Sequence, residues 1–283
     1  MNVSLSIDSF PLDEQTAADM RKLMNQFQLE YSTVLQEPAW QTSARGFAVL
    51  AYAEDGGLAG FAVCLDIVGL HQYEWSLLVH ADFRRQGIGT ALAEGIAYGL
   101  AQRQAEGELA AFIESKEAAA FLESLGYVAD FKEIMLGAEA LESAALPEHL
   151  KAAPFAGERA ELETLLSAAF NEEVLPVLAH NIEEAGREVW LMRSEGKLVA
   201  TATLIAEEDA LWVTAFAVDP AEQGKGYGQA FLKWCRTEAF VLGKHQVLLD
   251  VETDNAALRV YEKAGFQPVN TVEYWKRQEA EGE

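Results

Sequence analysis

Arg84-Arg85-Gln86-Gly87-Ile88-Gly89 and Gln223-Gly224-Lys225-Gly226-Tyr227-Gly228 share one pattern, Arg or Gln-x-x-Gly-x-Gly, and Gly87 and Gly226 lie 139 positions apart. Each turn follows a run of apolar, β-favouring residues, Trp75 to Val79 and Leu211 to Val218. Each opens a helical pattern, Thr90 to Ala101 and Gln229 to Val241. A strand, a glycine turn and a helix start together make an anion cradle. Backbone N–H groups converge in the turn, and the helix N-terminus adds partial positive charge. The same cradle at one fixed offset predicts two copies of one anion-binding unit.

Outward from the turns, the remaining elements repeat in the same order. In the first half a strand (Val3 to Ile7) precedes a helix from Asp13, with Ala17, Met20, Leu23, Met24 and Phe27 at helical spacing. Phe47 to Ala53 and Leu58 to Asp66 pair across Glu54-Asp55-Gly56-Gly57, a hairpin turn signal. After the first cradle come a strand at Leu109 to Ile113, a helix at Lys116 to Leu125 and a strand from Tyr127 to Leu136. The second half has early helices at Glu161 to Phe170 and Glu173 to Glu184, then paired strands at Val189 to Arg193 and Leu198 to Ala206. A strand at Val247 to Val251, a helix at Asn255 to Lys263 and a terminal strand from Phe266 complete it. Gly126-Tyr127 and Gly265-Phe266 are again 139 apart. Ala138 to Pro154, rich in Ala with two prolines, reads as the linker. The prediction is an α/β chain with two tandem domains, 1–143 and 147–283, each a mixed, mostly antiparallel sheet with helices on both faces.

Composition sets the bounds. A chain of 283 residues suits two domains, and half of its residues are apolar, enough for two cores. Residues 1–145 hold 8 basic and 21 acidic side chains, a net of −13, which leaves −11 of the total −24 for the rest. Neither half is a basic module, so nucleic acid is not the expected partner. The acidity serves solubility or a cationic acceptor. Cys64, in a strand pattern, and Cys235, in a helix pattern, read as small buried hydrophobes rather than a disulfide. There is no signal-peptide pattern and no run near the ~20 apolar residues of a membrane span, which predicts a cytoplasmic chain. The five histidines show no metal-ligand spacing, so no metal is expected. Trp190, Trp212, Trp234 and Trp275 read as core, and His80, in the position of Asp219, as structural.

Two familiar phosphate motifs fail here. Neither turn has the Lys-Ser/Thr ending of a Walker A loop. A dinucleotide fingerprint needs G-x-G-x-x-G early in its domain, whereas both turns lie in the middle of theirs. Residues 218–232, V-D-P-A-E-Q-G-K-G-Y-G-Q-A-F-L, resemble motif A of the GNAT superfamily of acetyl-CoA-dependent N-acyltransferases. So do residues 79–92, V-H-A-D-F-R-R-Q-G-I-G-T-A-L, and the element order extends the resemblance over nearly the whole chain.

The resemblance implies a CoA site in each half. In the family, the turn's backbone holds the CoA pyrophosphate and the preceding strand bonds the pantetheine arm. Carried over, Phe216 and Val218 are pantetheine partners, and Gln223, Gly224, Lys225, Gly226, Tyr227, Gly228 and Gln229 form the pyrophosphate loop. The first-half positions are Leu77 and Val79, then Arg84, Arg85, Gln86, Gly87, Ile88, Gly89 and Thr90. Arg84, Arg85 and Lys225 either offset the chain's negative field there or are solvated surface.

Residues 248–266 resemble the family's motif B, with Asn255 placed to contact CoA and Tyr261 placed near its sulfur, where it would act as general acid. The structural alternatives are a helix cap for Asn255 and core packing for Tyr261. In the first half the same positions are Lys116 and Leu122, so that copy lacks the acid. It either uses another donor or has become a scaffold. Glu252 is the first candidate for general base, with Glu207 and Glu208 as alternatives. The expected function is N-acetyl transfer from acetyl-CoA to a primary amine, with chemistry mainly in the C-terminal domain. The rivals are a non-catalytic acyl-CoA sensor or pseudo-enzyme scaffold and, more weakly, a dinucleotide-binding enzyme. Monomer and homodimer both stay open.

Overall fold

The computed structural model describes residues 3–27, 33–35, 40, 45–67, 69–143, 146–170, 174–207, 209–253 and 258–278. The chain divides into two compact units. Unit 1 comprises residues 1–133 and 270–283, and unit 2 comprises residues 134–269.

Unit 1 starts with β1 (Ser4–Ser9), α1 (Glu14–Met24), β2 (Gly46–Tyr52), β3 (Leu58–Asp66) and β4 (Gln72–Val79). It continues with α2 (Ile88–Gln102), β5 (Gly107–Ile113), α3 (Lys116–Ser124) and the first half of β6 (Tyr127–Glu139). It ends with most of the last strand of the chain, β12 (Gln267–Arg277). Its strand order is β1-β2-β3-β4-β5-β12-β6. β4 and β5 run parallel, while β1–β2, β2–β3, β3–β4 and β5–β12 are antiparallel.

Asp13 starts α1 by accepting bonds from the N–H groups of Gln15 and Thr16, both at 3.0 Å. Ala17, Met20 and Leu23 of α1 pack with Leu50, Phe61 and Leu78 on one face of the sheet. Ile88, Leu92 and Ile96 of α2 and Leu122 of α3 pack with Phe47, Val49, Trp75 and Trp275 on the other. The alternation along each strand therefore feeds two separate cores.

Unit 2 repeats the plan. β7 (Leu150–Pro154), α4 (Arg159–Ala169), α5 (Leu175–Glu183), β8 (Arg187–Ser194), β9 (Lys197–Ala206) and β10 (Ala210–Val218) are followed by α6 (Tyr227–Val241), β11 (Gln246–Glu252) and α7 (Leu258–Ala264). The order β7-β8-β9-β10-β11-β6 mirrors that of unit 1, and β10 and β11 form its parallel pair. Leu162, Leu165 and Leu166 of α4 and Leu178 of α5 cover one face, and Phe231, Leu232 and Cys235 of α6 cover the other.

Two expectations need correction. Ala138 to Pro154 is not all linker. β6 runs to Glu139 and β7 begins at Leu150, and the N–H groups of Ala140 and Leu141 bond to His245 and Arg236 carbonyls. Alanine-rich composition hid these strands, because alanine carries little β signal. The cradle helices also start earlier than the apolar pattern suggests, at Ile88 and Tyr227, because Gly87 and Gly226 act as their N-caps. Cys64 and Cys235 are buried free thiols, as the sequence predicts. Trp275 is core, but Trp190, Trp212 and Trp234 are only partly buried.

Sequence repeat and compact unit part company at the ends. Glu133 and Asn270, where the units divide, lie inside β6 and β12. Unit 1 is thus completed by residues from the end of the chain. Trp275 joins its core, and Arg277 bonds Glu108 at 2.7 Å and the Tyr127 hydroxyl at 2.9 Å.

Candidate functional site

In each unit the parallel pair opens like a V. β4 and β5 pair from Gln72↔Gly107 to Trp75↔Ala110, after which β4 runs on to Val79 without β5. β10 and β11 pair only from Ala210↔Gln246 to Trp212↔Leu248. The glycine turn sits at the open end. A short 3₁₀ turn leads into it, capped by the His80 Nδ1 in unit 1 and by the Asp219 carboxylate in unit 2. His80 therefore has the structural role expected of it.

The two cradles have nearly the same backbone. Gly87 and Gly226 adopt φ 83° and 85°, and the preceding loop holds a second left-handed residue, Arg85 at 60° and Gly224 at 79°. A β-carbon on Gly87 or Gly226 would meet nothing within 4 Å, so the turn faces open space and needs glycine for its conformation. Gly89 and Gly228 serve a different end. A β-carbon there would lie 3.2 Å from the Phe121 ring or from the Val218 methyl, so glycine lets strand, α2 or α6, and the neighbouring helix close up. Neither helix start has a side-chain cap, which leaves the first N–H groups for an anion.

Their electrostatics differ. In unit 2, Lys225 bonds Glu222 at 2.6 Å, Glu222 bonds Lys197 at 2.7 Å, and Lys197 reaches Asp219 at 3.0 Å. The two lysines hold the Glu222 carboxyl below its usual range. In unit 1 the positions of Glu222, Lys197 and Lys225 are Phe83, Leu58 and Gln86, and the Gln86 amide bonds the Asp82 carbonyl. Arg84 donates to the Val79 carbonyl at 3.2 Å and lies over the Phe27 ring. Arg84, Arg85 and Lys116 make no ion pair among the described residues. The first cradle keeps its positive charge and the second largely neutralises its own.

The strands differ as well. β3 and β4 pair without interruption from Asp66↔Tyr73 to Gly60↔Val79. Between β9 and β10 the register slips, with Thr214 opposite Thr203 but Ala217 opposite Thr201. Ala215 sits at this bulge with φ 47°. A bulge turns a strand's N–H groups out of their ladder. The Thr214 hydroxyl beside it is buried with no partner among the described residues. Nothing in the sequence marks this feature, since neither Gly nor Asn occupies the left-handed position.

Tyr261, on α7, is 7% exposed, and its ring centroid lies 6.1 Å from that of Phe216 and 6.5 Å from that of Phe266. Burial pushes its hydroxyl up to about 12, so it stays protonated at neutral pH. Phe216 and Val218 approach Gly228 from β10, and Leu122, the counterpart of Tyr261, is wholly buried in the core of unit 1. Gln229 turns its side chain to the Lys263 carbonyl at 2.8 Å, and the Tyr227 hydroxyl bonds Ser194, so both would face a phosphate through their backbone. Glu252 ends β11 as an exposed side chain. Glu207 is half-buried, accepts the Trp212 indole N–H at 3.0 Å, and has its carboxyl raised by burial. Asn255 and Glu208 lie outside the described residues.

Unit 1 also contains a cleft of about 1030 Å³, unforeseen in the sequence. It runs from Arg84, Arg85, Gly87, Gly89 and Thr90 of the turn past Leu77 and Val79 of β4. Ser115, Lys116 and Phe121 form another wall. Among the described residues no group of three or more His, Cys, Asp or Glu could hold a metal, and no helix is long and apolar enough to cross a membrane.

Known proteins agree with this geometry. The mycothiol acetyltransferase of Geodermatophilus obscurus is 28% identical over 257 residues, 83% of each chain. The fold resembles a GCN5-related N-acetyltransferase from Sphaerobacter thermophilus, with TM-score 0.71 and 19% identity over 96% of this chain and 94% of that one. It also resembles a tandem GNAT protein of the clavulanic acid biosynthesis pathway, with TM-score 0.69 and 15% identity over 98% and 100%. The model of the acetyltransferase (GNAT) family matches twice, at residues 15–127 and 154–266. With the two cradles, two open V-shaped strand pairs and two matches, the chain belongs to the acetyltransferase (GNAT) family as a tandem of two of its domains.

Proposed function

We propose that the protein is an acetyl-CoA-dependent N-acetyltransferase that acylates a primary amine by direct transfer, with its chemistry in unit 2. The observation that carries this reading is a coincidence of two features. The bulge at Ala215 and the buried hydroxyl of Tyr261 both belong to the second unit, and the first has neither at the matching positions, where β4 pairs with β3 unbroken and Leu122 replaces the tyrosine.

The residues divide the work. The N–H groups of Tyr227, Gly228 and Gln229, with the turn from Gln223 to Gly226, would hold the pyrophosphate, and Phe216 and Val218 would line the pantetheine arm. Asn255 would add a contact to CoA. When bound, acetyl-CoA supplies the activated acyl group. A strand N–H freed near Phe216 to Val218 donates to the oxygen on which charge develops. Tyr261, held protonated by its burial, donates its proton to the departing sulfur. Glu252 is the first candidate to accept the proton of the amine, directly or through water. Glu207 is the alternative, since its raised carboxyl would hold and release a proton nearer neutral pH.

Tyr261→Phe tests this directly. Turnover, followed by CoA thiol release on a panel of amines, should fall by about 10- to 10⁴-fold. CoA affinity, measured by calorimetry, should be nearly unchanged. Undiminished turnover would remove Tyr261 from the role of acid. The panel should include thiol-bearing small metabolites, as the name of the Geodermatophilus relative suggests.

A second reading concerns unit 1. Its charged cradle and open cleft favour CoA binding at Leu77, Val79 and Arg84 to Thr90, while its unbroken strand and Leu122 favour a unit that binds without catalysing. If the amine panel stays silent while CoA binds, the whole chain is better described as an acyl-CoA sensor.

A further inference from the structure

We propose that unit 1 is a receptor for CoA thioesters with acyl chains longer than acetyl, which it binds without cleaving. This rests on the reading that its cradle holds CoA, and adds which thioester it takes.

The cleft changes character along its length. At the turn it is lined by Arg84, Arg85 and Lys116, with Glu117 as the only acidic residue among its described lining. Cations whose charge is not spent on neighbouring carboxylates suit a polyanionic phosphate end. From there the cleft passes through the opening between β4 and β5. Leu77 and Val79 pack with the α2 and α3 core on one side of the sheet, and Leu78 packs with the α1 core on the other. A ligand that follows the cleft therefore threads the sheet from one face to the other.

Beyond Phe27, which lies under Arg84, the cleft is walled by Leu35, Leu78 and Ile113, with the hydroxyls of Ser76 and Thr33. On this reading a two-carbon acyl group would end near the opening and leave this wall bare. A chain of six to eight carbons would cover it. About 1030 Å³ is at the upper end of the usual range for ligand pockets. Among the described residues of unit 1, the midpoint lacks the two features that mark unit 2. β4 keeps its full ladder to β3, so no bulge frees an N–H, and leucine replaces the buried tyrosine hydroxyl. Charge at one end, an apolar wall at the other and leucine in place of the tyrosine between them describe a site that retains its thioester.

Calorimetric titration of the full chain with CoA, acetyl-CoA, hexanoyl-CoA and octanoyl-CoA tests the proposal. Each methylene that reaches the wall should strengthen binding by up to about fourfold. Octanoyl-CoA should therefore bind one site at least about tenfold tighter than acetyl-CoA. Ile113→Gln, a change at a partly buried position, should abolish the chain-length preference while leaving free CoA binding unchanged. Octanoyl-CoA held by the Tyr261→Phe protein should be recovered intact by mass spectrometry. Equal affinity across the series, a preference that survives Ile113→Gln, or CoA release from that bound thioester would each overturn the proposal. If the double variant Arg84→Glu, Arg85→Glu leaves every titration unaltered, the underlying reading of a CoA cradle in unit 1 fails first.

Discussion

Gly87 and Gly226 hold almost the same φ, yet the strands that lead to them pair differently with their neighbours. In unit 1, β4 reaches the turn with its ladder complete. In unit 2, β10 kinks at Ala215 and arrives one step out of register with β9. The charges are reversed in emphasis: among the described residues Arg84, Arg85 and Lys116 of unit 1 have no carboxylate partner, and unit 2 ties Lys225 and Lys197 to Glu222. Duplication kept the anion cradle and let the two requirements of a transferase drift apart. In the proposed reading, one unit would hold the ligand and the other would carry the groups that act on it.

The comparison can be broken most severely at the acid. Beyond the loss expected of Tyr261→Phe, the reciprocal change Leu122→Tyr should restore no measurable turnover to a Tyr261→Phe protein. A hydroxyl at that place has no bulged strand to work with. Recovery of thiol release in the double variant would show that the missing acid alone separates the units. Next in size is the ligand end. Arg84→Ala with Arg85→Ala should weaken CoA binding at unit 1 by about tenfold or more, from the loss of charge-assisted bonds. Lys225→Ala should change unit 2 by no more than about threefold, because Glu222 already engages that lysine. Calorimetry at two salt concentrations distinguishes these outcomes.

The bulge gives a smaller effect. Ala215→Val places a β-branched residue at φ 47° and should destabilise the protein by about 1–2 kcal/mol in urea unfolding, whereas Ala215→Gly should be neutral or stabilising. A signal of another kind, dependence on pH, is shared by both units. Burial raises Cys64 and Tyr127 in unit 1 and Cys235 and Tyr261 in unit 2 above their ordinary values of 9.0 and 10.0. The unfolded chain releases these protons first. Stability present below pH 9 should therefore be lost progressively as pH rises through 9 to 10 and beyond. Urea midpoints at pH 8 and pH 10.5 measure the difference.

Much of this was legible in the sequence because it is written in local chemistry. Gly87 and Gly226 are required by positive φ, and the helix from Asp13, with Ala17, Met20 and Leu23 buried, follows from helical periodicity. The offset of 139 exposed the loss of a hydroxyl at Leu122 without any coordinates. What escaped depends on partners distant in sequence. The bulge is a matter of register between β9 and β10, and Ala215 alone gives no sign of it. The cleft arises where β4 and β5 separate, through residues 27 to 124 that no short window contains. The ends of the linker were missed for a simpler reason, since alanine-rich strands have little pattern to read.

The crossing of the last strands has a consequence for how the protein is made. Residues from Asn270 onward belong to the unit whose other residues leave the ribosome first. Until β12 arrives, β5 lacks its neighbour and Glu108 lacks Arg277, so the first unit offers an open sheet edge. At ordinary synthesis rates the intervening residues take on the order of ten seconds. The unit begun first is therefore completed last. A chain cut short before residue 270 would leave its damage in the N-terminal half, far in sequence from the cut.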